Sequence, residues 1–195
     1  MSTVIDMVIE NSTDGLVRTA EIEALGGHRG DLQKYIKNNV IYKVGRGIYQ
    51  IVDAWEDELY TLHLKYPRGI VSNETALYIH GFTDRTPSIY TMTFPQGYNA
   101  SSLKNENVIV KRVIPEIYDL GITDGKSFNG NPIIIYDLER TLCDILRGNS
   151  SDIQIVKDAM KRYARYDGKN INKFIAYAEK LHVKKKVLQY MEVLL

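Results

Sequence analysis

The stretch Tyr42-Lys43-Val44-Gly45-Arg46-Gly47-Ile48-Tyr49 decides how the first part of this chain reads. Val44 and Ile48 are β-branched, and Tyr42 and Tyr49 are aromatic; these types suit a pleated, half-buried surface. Gly45 and Gly47 permit the positive φ angles of a hairpin, so the spacing predicts two short strands around a tight turn. Arg46 then stands at the exposed tip. The glycines are not a dinucleotide fingerprint, because Gln50 occupies the place of the third glycine and no helix follows.

Upstream, Val4, Ile5, Val8 and Ile9 recur at helical spacing and predict a helix over residues 2–11. A turn cluster follows at 11–15. Thr19 reads as the cap of a second helix, with Glu21 and Glu23 favouring its N-terminus and Gly26-Gly27 ending it. A third helix is expected over 28–38, with Leu32, Tyr35 and Ile36 turned inward and Arg29, Gln33, Lys34 and Lys37 outward. Three helices followed by a hairpin with a basic tip make the pattern of a winged helix-turn-helix, which lays a helix in the major groove and a wing on the phosphates. Arg29 and Gln33 can pair bidentately with guanine and adenine edges. Lys34, Lys37, Lys43 and Arg46 suit phosphates. The competing explanation is a solvated three-helix unit with an ordinary hairpin. The candidate DNA-binding set is therefore Arg29, Gln33, Lys34, Lys37, Lys43 and Arg46, within a domain spanning 1–52.

A length of 195 residues allows one large or two small domains. No run of about 18 apolar residues is present to span a membrane. The N-terminus lacks the basic start of a signal peptide. Cys143 is the sole cysteine, which rules out an intrachain disulfide and a cysteine zinc site. A soluble cytoplasmic protein is the expectation. The net charge of +1 conceals an uneven distribution: 0 over residues 1–52, −4 over 53–150 and +5 over 151–195. Within the first module, positions 28–47 hold five basic residues against Asp31 alone.

Residues 53–195 read as a mixed α/β domain that turns helical from about 151, so the fold class is α+β. An acidic start at 53–58 leads into a helix running to Tyr66, with Trp55, Leu59, Leu62 and Tyr66 on one face. Ser72 is placed to cap a helix through His80, stopped by Gly81. Strands are expected at 89–94, 108–113 and 133–136. Asp137 leads into a helix bearing Leu138, Leu142, Ile145 and Leu146, while Arg140 and Asp144 lie i, i+4 on its polar face. Ser151 with Gln154 fits a capping box. The apolar stripe of that helix is Ile153, Val156, Met160 and Tyr163. Lys157, Lys161 and Arg165, joined by Arg162, form a separate basic stripe. That stripe suits contact with RNA, nucleotide or an acidic partner, and equally a plain solvated face. Further helices are expected around Phe174 and from Lys184-Lys185-Lys186 onward.

Catalytic signals are sparse. His28, His63, His80 and His182 are scattered without metal-ligand spacing. Neither a nucleophile elbow nor a phosphate loop is present, and no cofactor or metal is expected. Pro115-Glu116 followed by Asp124-Gly125-Lys126 echoes the acidic core of restriction-type nucleases, although Asp124-Gly125 is more simply a turn. His80 and Asp84 flank a helix end as caps rather than as a catalytic dyad.

Three stretches together resemble a known family, the AbiEi-type antitoxins of bacterial abortive-infection systems. They are Val44–Tyr49 at the end of the winged module, Gly69–Leu77 followed by His80-Gly81, and Asp137-Leu138-Glu139-Arg140-Thr141-Leu142-Cys143-Asp144. Ser72, His80, Glu139, Arg140 and Asp144 match family positions. The resemblance implies a cytoplasmic, non-enzymatic bacterial protein whose N-terminal domain represses its own operon. It also implies that the remainder opposes a nucleotidyltransferase-like toxin encoded beside it, as a type IV system needing no stable complex. Operator DNA with repeated half-sites is the expected partner. The expected antitoxin surface is Lys157, Lys161, Arg162 and Arg165. The competing readings are a plain transcriptional regulator with a ligand-binding or dimerising C-terminal domain, and a metal-dependent nuclease.

Overall fold

The computed structural model describes residues 3–148 and 151–194. The chain divides into two compact units, residues 1–65 and 66–195.

In the first unit the elements run α1 (Val4–Asn11), β1 (Leu16–Arg18), α2 (Thr19–Ala24), a 3-10 turn (Arg29–Asp31), α3 (Leu32–Lys37), β2 (Ile41–Gly45), β3 (Ile48–Ile51) and α4 (Glu58–Lys65). The predicted winged architecture is present. Helix α1 begins in a capping box between Thr3 and Asp6 that satisfies two orphan N-terminal donors. Strand β1 was not anticipated. It pairs antiparallel with β3, Leu16 opposite Gln50, and gives a three-stranded sheet in the order β1-β3-β2. Ile5, Val8, Val17, Ile22, Leu32 and Ile41 form the buried core between helices and sheet.

Local details differ from expectation in four ways. Thr19 is the first residue of α2 rather than its cap, which falls on Arg18 without a side-chain bond. At the hairpin only Gly47 has positive φ, at +71°, because a register shift at Lys43/Gly45 absorbs the other part of the turn. Helix α4 starts at Glu58, where the Asp57 carboxylate accepts from the Tyr60 N–H at 3.0 Å. Trp55 precedes it and is 91% exposed, so it does not join the face of Leu59 and Leu62.

The second unit is built on a five-stranded mixed sheet. Its strands are β4 (Ile70–Val71), β5 (Tyr90–Pro95), β6 (Val108–Val113), β7 (Ile122–Lys126) and β8 (Pro132–Tyr136), in the order β6-β5-β4-β8-β7. β5 and β6 are parallel, as are β4 and β8; the other pairs are antiparallel. Helices α5 (Asn73–Ile79) and α7 (Leu138–Arg147) follow the neighbouring strands β4 and β8 and pack on each other. A short α6 (Pro115–Tyr118) has proline at its start, where no N–H is needed. Then come α8 (Ile153–Arg165), α9 (Ile171–Lys180) and α10 (Lys184–Leu194). Leu142, Cys143, Ala159, Met160, Tyr163, Phe174 and Val187 lie in the helical core.

Here too the structure amends the reading. Asp124-Gly125 is mid-strand, not a turn. A Cβ on Gly125 would stand 2.6 Å from Ile135 Cγ2, so glycine is required by close cross-strand approach. Ser72 occupies the cap position of α5 without a capping bond; its Oγ accepts instead from the Thr93 hydroxyl at 2.8 Å. Asp152, not Ser151, caps α8. The buried stripe of α8 is Ile155, Val156, Ala159, Met160 and Tyr163, leaving Ile153 exposed. Arg140 and Asp144 do pair, Nε to Oδ2 at 3.0 Å, but the pair is buried, not on an exposed polar face.

Candidate nucleic-acid interface

Helix α3 and the hairpin carry the six predicted residues. Arg29 lies in the 3-10 turn, Gln33, Lys34 and Lys37 on α3, Lys43 on β2, and Arg46 at the hairpin tip. All six are exposed. None makes an ion pair or side-chain hydrogen bond among the described residues, whereas Arg18 in the same unit is tied to Asp14 and Glu21. Gln33 and Lys37 are one helical turn apart, as are Lys34 and Lys37, so they share a face.

Two contacts fix this surface, and the sequence reading named neither. The Tyr35 hydroxyl donates to Asp6 Oδ1 at 2.6 Å and lies 2.7 Å from Thr3 Oγ1, which ties α3 to the capping box of α1. The hydrogen bond from Tyr35, and then those from Thr3, hold the Asp6 carboxyl below the usual carboxylate range. At the hairpin, the Thr19 N–H donates to the Gly47 carbonyl at 2.9 Å. A Cβ on Gly47 would stand 2.5 Å from Thr19 Oγ1. The wing tip is thus seated on the start of α2, and Arg46 projects from an anchored turn. Tyr35 reads as core by its spacing, and only its hydroxyl hints at a polar partner. Gly26 and Gly27 shape the turn before α3 for different reasons. Gly26 has φ +79°, while Gly27 has room only for hydrogen, since a Cβ would lie 2.7 Å from Ile22 Cγ2.

The matched positions of the second unit have structural partners. His80 Nε2 meets the Tyr136 carbonyl at 2.8 Å and so joins α5 to the end of β8. The Asp137 carboxylate caps α7 by accepting from the Arg140 N–H at 2.9 Å. Glu139 accepts from Tyr163 and from the Asn170 N–H, gathering α8 and α9 on α7. Arg140 Nη1 donates to the carbonyls of Ile117 and Leu120 at 2.5 and 2.7 Å, and its guanidinium lies 4.0 Å from the Tyr136 ring centre.

Lys157, Lys161, Arg162 and Arg165 are all exposed on α8. Arg162 is engaged within the unit, donating to the Gly81 carbonyl at 3.0 Å and to Asp84. Of the nuclease-like residues, Glu116 lies on α6, and Asp124 and Lys126 lie on β7. Among the described residues there is no group of three or more His, Cys, Asp or Glu able to hold a metal ion. Among the described residues, no helix is long and apolar enough to cross a membrane.

Comparison with known proteins fits this geometry. Residues 6–52 match the family described as transcriptional regulator, AbiEi antitoxin. The matched span runs from within α1 through β3, so the winged module is similar to that regulator family. The crystal structure of the RV2827C protein from Mycobacterium tuberculosis aligns with 98% of this chain and 80% of its own, at 11% identity and a TM-score of 0.54. That likeness is one of fold. No curated protein matches the chain.

Proposed function

We propose that this chain, whose first module is an AbiEi-type regulator domain, represses its own operon by binding promoter DNA and opposes a nucleotidyltransferase-like toxin encoded beside it. One observation carries the reading: six exposed side chains suited to bases and phosphates, without ion-pair partners among the described residues, lie on the helix and wing of a module that matches this family over residues 6–52. Arg29 and Gln33 read base edges; Lys34 and Lys37 on α3, with Lys43 and Arg46 on the wing, hold phosphates. Repression belongs to residues 1–52. Toxin antagonism belongs to 53–195, needs no stable complex with the toxin, and uses the basic stripe of α8.

The experiment pairs a promoter–reporter assay with growth rescue from the co-expressed neighbouring toxin. Changing Lys157, Lys161, Arg162 and Arg165 to glutamine removes four charges at similar helix propensity. The variant, folded by circular dichroism, is expected to repress normally and to protect poorly. Full protection would reduce this stripe to a solvated face and move the antagonising residues elsewhere in 53–195. Failure of wild type to repress the promoter would overturn the regulatory half.

A further inference from the structure

Strand β6 is an edge of the five-stranded sheet, and Val108, Val110 and Arg112 alternate onto one of its faces. In β5, Met92 and Phe94 continue that face, in register with Val110 and Arg112. The loop joining the two strands, with its 3-10 turn (Ser101–Asn105), lies against this face and leaves a cleft of about 490 Å³. Tyr98, Leu103, Lys104, Val108, Val110 and Arg112 line it, among others.

The walls of the cleft are held from within the unit. The Tyr98 ring stacks on buried Phe94, with 4.5 Å between ring centres. The Arg68 guanidinium lies 5.8 Å from the centre of the same tyrosine ring. The Tyr66 hydroxyl lies 3.2 Å from the Ser102 carbonyl and 3.0 Å from a Glu106 carboxylate oxygen, which pins the 3-10 turn. Arg112 Nε donates to the Tyr98 carbonyl at 3.4 Å, which turns the side chain toward the loop.

That bond engages Nε alone, and neither Nη nitrogen of Arg112 has a protein partner among the described residues. Lys104 is exposed and makes no ion pair among the described residues. Glu106 is the one acid of the lining, and the Tyr66 hydroxyl already engages it. Edge protection accounts for a cation on an outer strand. It does not account for half-buried Val108 and Val110 left as the floor of a cleft, or for a loop lysine lining the same cleft.

We propose that this cleft binds a free nucleotide, with its base against Leu103, Val108 and Val110 and its phosphates on Arg112 and Lys104. The volume falls within the roughly 300–1,000 Å³ of small-molecule sites, which combine apolar walls with a few placed polar groups. The paired N–H donors of arginine match phosphate oxygens, and lysine adds a point charge. Every base has an apolar π-face, so the floor accepts purines and pyrimidines alike. These residues lie outside the DNA-reading set and the α8 stripe, and the proposal does not depend on the regulatory reading.

The test is calorimetric titration of the full chain with ATP, GTP, CTP and UTP, each separately, and with sodium pyrophosphate, at physiological salt. At least one triphosphate is expected to bind saturably at one equivalent and more tightly than pyrophosphate. The Lys104→Gln/Arg112→Gln variant should bind it at least tenfold more weakly, while Lys43→Ala/Arg46→Ala binds as wild type. Lys104→Gln alone, at an exposed loop position, carries the test if the double variant does not fold. Pyrophosphate binding as tightly as every triphosphate would show that the floor takes no base, and would overturn the proposal. So would tighter binding of a single-stranded RNA hexamer than of any triphosphate, no saturable binding of any triphosphate, or unchanged binding in a folded variant.

Discussion

Arg140 is the most constrained cation in the molecule. It is fully buried, and its bonds reach Asp144 on its own helix and two carbonyls around α6. Removing it would leave Asp144 buried without its partner, a class of change that costs about 3–5 kcal/mol. Arg140→Met should therefore lower the urea midpoint sharply. Arg140→Met/Asp144→Leu should recover part of the loss, because no buried charge is then left unpaired; equal loss in both variants would contradict this. His63 makes a second residue-scale prediction. Burial pushes its pKa below the ordinary value of 6.5, so folding favours the neutral ring. Stability from this group is present above the unfolded value and is lost as pH falls toward the lowered folded one. The urea midpoint should drop between pH 7.5 and pH 5.5, and His63→Gln should reduce that drop. An identical drop in the variant would assign the pH dependence elsewhere.

At the scale of elements, the wing depends on its seat. Gly47 has positive φ and approaches Thr19 closely, so Gly47→Ala must shift the tip off α2. Promoter affinity should fall severalfold while circular dichroism stays unchanged; wild-type affinity would show that the seat does not position Arg46. Helices α1 and α3 and the hairpin were legible because apolar period, turn glycines and basic positions all agreed. Strand β1 was not, since three residues are too few to show alternation and its pairing is set by β3, thirty or more positions away. Strand β7 hid for a different reason: Asp124-Gly125 carries turn chemistry, and only the approach of Ile135 explains the glycine. The frame of α8 was misplaced because Ile153 and Ile155 both look apolar, and burial selects the second. The six residues of the candidate interface were readable from residue type and spacing. The contacts that hold them, Tyr35 to Asp6 and Thr19 to Gly47, join positions 28 or 29 apart, which no local pattern reveals.

For the whole molecule, charge averaged along the chain and charge gathered in space tell different stories. The lysine-rich end partly spends its charge within the fold, as where Lys184 pairs with Glu179 and Arg162 with Asp84. A winged module of this size touches only a few base pairs, which gives one copy limited discrimination against a genome. Footprinting of the chain's own promoter should show two protected blocks, and a single short block at one-to-one stoichiometry would exclude paired half-sites. The central claim is that α3 and the wing bind promoter DNA through Arg29, Gln33, Lys34, Lys37, Lys43 and Arg46. It is tested most directly by anisotropy titration of a promoter fragment over a salt series, comparing wild type with Lys43→Ala/Arg46→Ala. Each lost phosphate contact lowers the salt slope by about one, so the double variant should bind more weakly with a slope reduced by about two. Unchanged affinity and slope would contradict the account.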